Sequence, residues 1–201
     1  MQTLGIYGES RRSDGWLKSI FWPTVENAWD VDYLGQQGFW ICLIIGGYQA
    51  LVGLFSGNPV LLVVYLAMAL VFLLGAMGVR EASWPAAAMV FALFFTDILY
   101  LLAVGHLPST LAILAAGVLL SNVHAAFLAS HWRPAQEDKD RPTRFNEDLS
   151  DLIADQLPAK AWPVLQASFF ALAALLLLLS LVGLGTVLWH RLGALSGALH
   201  P

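Results

Sequence analysis

Residues 60–79, VLLVVYLAMALVFLLGAMGV, run without a charge between Asn58-Pro59 and Arg80. A helix rises ~1.5 Å per residue, so about 20 apolar residues match the ~30 Å hydrocarbon core of a bilayer. In lipid, a single segment can satisfy all its backbone polar groups only as a helix. The run therefore predicts a membrane-spanning helix. Working outward, residues 39–55, 84–104, 110–132 and 164–189 have the same character. The first of these is short and contains Tyr48 and Gln49, but Phe39, Trp40 and Phe55 flank it as interfacial anchors. Ser56-Gly57-Asn58-Pro59 and Gly105-His106-Leu107-Pro108-Ser109 are turn-forming clusters too short to join anything but antiparallel neighbours.

The predicted fold class is thus an all-α, polytopic bundle of five transmembrane helices. Residues 1–38 form an aromatic-rich interfacial segment, and residues 39–132 hold four spans in two hairpins. Residues 133–163 are a charged loop with an amphipathic helix, and residues 164–201 are the fifth span and a short tail.

Composition agrees. Of 201 residues, 58% are hydrophobic and 12% charged, with net charge −4 and a single cysteine, Cys42. A disordered chain, a disulfide scaffold and a nucleic-acid binder are excluded on those grounds. The charges are segregated: 8 lie in residues 1–37, 12 in residues 131–163, and only Arg80, Glu81, Asp97 and Arg191 elsewhere. Nine of the 10 Lys and Arg residues fall on one side of the five-span arrangement, and Arg191 alone falls on the other. The positive-inside rule then puts the N-terminus in the cytoplasm and the C-terminus outside. The localisation expected is the inner (plasma) membrane of a bacterial cell.

Two charged-side segments carry apolar faces. Trp16, Leu17, Ile20 and Phe21 share one face of a short helix expected to lie on the membrane. Pro23 interrupts it, and Thr24 is placed to start a second helix toward the first span. Asp30 and Asp32 form a DxD pair, a pattern that in some enzymes holds a divalent ion, although a solvated loop is the plainer reading. Farther on, Asn146 can cap a helix in which Phe145, Leu149, Leu152, Ile153 and Leu157 recur at helical spacing until Pro158 stops it. Its acidic outer face disfavours anionic lipid, so the apolar stripe is expected to pack on the protein's own charged end, with a partner protein as the alternative.

An ionisable group deep in a span is a functional-site hypothesis by default, and Asp97 is the one that lies well inside. Tyr100 follows on the same face, and Gln49, Tyr65 and Ser180 fall at comparable depth, making a possible polar layer. Such a layer is either a proton or ligand site or interhelical glue, in which a neutral Asp97 donates a hydrogen bond. The spacing favours glue, since nothing marks a reacting group. His124, beside Ala125 and Ala126, could be an axial ligand for haem or chlorophyll, whose flat ring needs small neighbours. The run from His124 to Trp132-Arg133-Pro134 is similar to part of the bacterial antenna polypeptides, where a liganding histidine precedes Trp-Arg-Pro at a different spacing. A hydrogen-bonded structural histidine is the plainer reading. His124 and His131 are too far apart along the helix to share a metal.

Packing signals are clearer. Gly46, Ala50 and Gly53 form one small-residue stripe, and Gly117, Ser121 and Ala125 another, where helices should approach closely. No hydrolase, nucleotide-binding or paired-cysteine motif is present. The function expected is therefore that of a non-catalytic structural, assembly or accessory subunit of a membrane complex. Its expected partners are lipid and other membrane subunits or further copies of itself, with no nucleic acid. The rival readings are a small carrier or ion-pathway protein using the Asp97 layer, and a haem- or pigment-binding subunit using His124.

Overall fold

The computed structural model describes residues 18, 22–25, 28–131 and 152–198. Among the described residues there are five long helices and no strand: α1 (Ala28–Phe55), α2 (Pro59–Arg80), α3 (Trp84–Ala103), α4 (Thr110–Ser130) and α5 (Leu157–Ala198). Each is long and apolar enough to cross a membrane, as an integral membrane protein requires. The predicted interfacial helix around Trp16–Phe21 and the start of the amphipathic helix at residues 145–151 lie outside the described residues, apart from Lys18.

The helix ends follow local chemistry. Asn58 caps α2, its Oδ1 accepting from the backbone N–H of Val60 at 2.9 Å and Leu61 at 3.3 Å, with Pro59 in the first turn. The α2 C-terminus closes in a Schellman turn: Ser83 N–H donates to the Gly78 carbonyl and Ala82 N–H to Val79. The left-handed position in that turn is Ala82, φ 51°, where glycine is usual. Its methyl packs beside the small cluster of Val31, Leu34 and Ala125, contact that offsets the backbone strain. α3 ends in the same motif with Gly105 at φ +89°, and the Arg191 guanidinium lies against that glycine. A cation there faces the partial negative charge of a helix C-terminus.

Two expectations are corrected. α1 begins at Ala28, well before residue 39, so Asp30 and Asp32 are helical rather than a loop. Carboxylates in the opening turns of a helix are favoured by the free N–H groups and the dipole, which is why charges there do not prevent helix. Nor does Pro158 stop the segment before the fifth span. A π-helical turn, Leu152–Gln156, runs directly into α5, and Pro158 sits in the first α5 turn, where its ring is tolerated.

α1 packs chiefly against α2 and α4, whereas α5 lies between α2 and α3. The main core joins Phe39, Cys42 and Ile45 of α1 to Val71, Phe72 and Val79 of α2, Val90 and Leu93 of α3, and Trp162 and Phe169 of α5. Outward surfaces are apolar, as in Ile44, Phe55, Val63, Leu111 and Val182, a distribution that suits lipid and not water. Within the apolar window of each helix, 39% of residues are buried in α1 and 17% in α5, so α1 is the inner helix and α5 the most outward.

Candidate functional site

The alternating helix directions bring the start of α1, the end of α2 and the approach to α5 together at one end of the bundle. Arg80, the last residue of α2, is 2% exposed there. Its Nη1 donates to Asp32 Oδ1 and to the Asp32 carbonyl, both at 2.9 Å, and Nη2 reaches Asp32 Oδ2 at 3.4 Å. On the other side Nε donates to Asp155 Oδ1 at 2.8 Å and to the Ala154 carbonyl at 3.2 Å, and Nη2 also donates to Asp155 Oδ1. Every guanidinium nitrogen thus has an acceptor, and the planar fork of arginine suits the arrangement in a way that an ammonium would not.

The clamp revises three readings at once. Arg80, seen in the sequence as an orientation marker between spans, is a buried tie joining α1, α2 and the π-turn. The DxD pair is not a solvated loop: Asp30 is buried and Asp32 is committed to Arg80. Two residues apart on a helix, these carboxylates leave from nearly opposite faces and cannot chelate one ion. Of the expected docking stripe, Phe145 and Leu149 lie outside the described residues, and the other three members are turned outward. Ala154 and Asp155 face the body, whereas Leu152 is 48% exposed, Ile153 38% and Leu157 49%. The reason is that one buried charge pair with full hydrogen bonding fixes the rotation of the turn, and the apolar residues follow from it.

Deeper in the bundle, a cavity of about 170 Å³ between α3 and α5 is lined by Thr96, Asp97, Tyr100, Ser180 and Gly183. Asp97, Tyr100 and Ser180 of the proposed polar layer are therefore brought together. Gln49 and Tyr65, on α1 and α2, do not line the cavity. Tyr65 instead lies against Gly53, in the α1–α2 contact. Thr96 was missed in the sequence because a hydroxyl one residue before an acid is an ordinary occurrence. Its Oγ1 donates to the Ala92 carbonyl at 2.7 Å. The glue reading of Asp97 needs an interhelical hydrogen bond, and its carboxyl makes none to a described residue.

His124 is stacked on Trp22, ring centroids 4.0 Å apart and 24° from parallel. Its Nδ1 is buried without a hydrogen-bond partner among the described residues. Among the described residues Nδ1 thus lacks both the hydrogen bond that the structural reading of His124 expects and the one that ordinarily orients an axial histidine. No group of three His, Cys, Asp or Glu side chains suited to a metal occurs among the described residues.

The small residues occupy helix contacts. Gly46 abuts the Ala69 carbonyl, Gly53 abuts Tyr65, and Ala50 is half-buried between them on α1. Gly117, Ser121 and Ala125 are buried on α4. Three contacts had no counterpart in the sequence reading. Gly38 makes room for Asn122, whose amide donates to the Leu34 carbonyl and ties α4 to α1. Gly75 and Gly78 receive Phe169 and Trp162 of α5; their spacing along one α2 face is a signal that could have been found.

No known protein family, curated protein or solved structure matches this chain.

Proposed function

We propose that this chain is an accessory or assembly subunit of a membrane complex in a bacterial plasma membrane, with its charged end in the cytoplasm. The observation that carries this reading is the outward stripe of Leu152, Ile153 and Leu157, held in place by the Asp155–Arg80 pair beneath it. An apolar stripe that the described residues leave exposed, mounted on a buried ionic clamp, is a rigid surface suited to an apolar groove on another subunit. The orientation is supported by the side that carries nine of 10 basic residues.

A photo-crosslinking side chain placed at Leu152 or Ile153 in native membranes tests the proposal. A discrete protein adduct that disappears in Arg80→Ala, with the protein still inserted, supports a presented docking surface. Lipid adducts alone would overturn it and leave the stripe as an interfacial anchor.

A further inference from the structure

We propose that the cavity between α3 and α5 is a binding site for a monovalent cation, centred on the Asp97 carboxylate. This is independent of the docking role above, which rests on the outward stripe at the charged end.

The chemistry of the lining carries the inference. A carboxylate held among apolar helices is costly unless a positive charge or a proton accompanies it. No basic side chain lines this cavity, and the Asp97 carboxyl makes no hydrogen bond to a described residue. The other lining oxygens are hydroxyls, each able to accept. The single hydroxyl proton of Thr96 is directed at the Ala92 carbonyl, so that oxygen can offer the cavity only lone pairs. The hydroxyls of Tyr100 and Ser180 are likewise without a partner among the described residues, so they are free to turn lone pairs inward. One carboxylate and three hydroxyl oxygens form an all-oxygen donor set of the kind that hard cations take.

Charge selects the valence. A monovalent ion neutralises the lone carboxylate, whereas a divalent ion would leave a net positive charge in the hydrocarbon layer. Divalent sites usually gather several carboxylates for this reason. Size is consistent with an ion that keeps some of its water, because about 170 Å³ exceeds the space of a single water, ~30 Å³ in the liquid. Tyr100 is 43% exposed, which places the cavity mouth at the outer surface of the bundle instead of in its sealed core.

The test uses the purified full-length protein, exchanged into N-methyl-glucamine chloride and melted in a series of NaCl and KCl concentrations at constant ionic strength. The expected result is a saturable rise in melting temperature with at least one of the two ions and none with N-methyl-glucamine. Asp97→Asn should melt like the wild type in N-methyl-glucamine and lose the rise, and Ser180→Ala should raise the half-saturating concentration several-fold. Equal melting of the wild type in all three salts would overturn the proposal, as would a rise that persists in Asp97→Asn. Should Asp97→Asn fail to fold, Ser180→Ala and Tyr100→Phe decide: unchanged half-saturation in both means that the ion binds elsewhere.

Discussion

Arg80 shows how a single side chain can matter more than its place in a charge count suggests. It is buried, with carboxylates on both sides, so removing it takes a buried cation away from both Asp32 and Asp155. Arg80→Ala should therefore cost about 3–5 kcal/mol, the scale for breaking a buried ion pair. Arg80→Lys should recover only part of this, because three donors on a point charge cannot reproduce the fork. Thermal unfolding in detergent of wild type and both variants checks the order. Gly38 is a second such position: a Cβ there would stand 2.7 Å from Val79 Cγ1 and overlap the Asn122 amide. Gly38→Ala should destabilise by about 1–3 kcal/mol through overpacking, while Gly47→Ala on the same helix, with open space around its Cβ, should be neutral in the same melts. Neither role was legible in the sequence. The partners of Arg80 lie 48 and 75 residues away, and no local pattern reports contacts at that distance.

At the scale of elements, apolar length was highly legible and helix rotation was not. All five spans could be read because the bilayer imposes a minimum run that turns such as residues 56–59 and 105–109 interrupt cleanly. The start of α1 was obscured by Asp30 and Asp32, which look like loop residues until the dipole of the opening turns is considered. The π-turn before α5 gives the clearest consequence. Because Asp155 and not the Leu152–Ile153 pair faces the body, Asp155→Ala should release the turn and expose the residues around it to protease. The double change Leu152→Ser with Ile153→Ser should leave cleavage near wild type. Limited proteolysis of the three proteins, read by mass spectrometry, distinguishes them; faster cleavage of the double variant alone would mean that the apolar stripe holds the turn.

Across the whole molecule, the described geometry fixes which helix ends share a side, and the positive-inside rule predicts which side that is. A periplasm-active reporter fused to the C-terminus is expected to be active, and the same reporter inserted after Lys139 inactive. The Asp97 cavity belongs to this scale too. The sequence identified the acid and two of its neighbours, Tyr100 from helical spacing and Ser180 from depth, yet also included Gln49 and Tyr65, because depth does not say which helices are adjacent. That α5 packs against α3 is a property of the assembled bundle.

The clamp also has an order in time. Asp32 has already been synthesised when the ribosome adds Arg80, but Asp155 follows 75 residues later, about 4–15 s at ~5–20 residues per second. During that interval the first hairpin is held by a half-occupied guanidinium, with Nε lacking both of its eventual acceptors. Arrival of the segment that leads into the fifth helix completes the set of acceptors around Arg80. A product that ends before Ala154 would leave the Arg80 Nε without either of these acceptors.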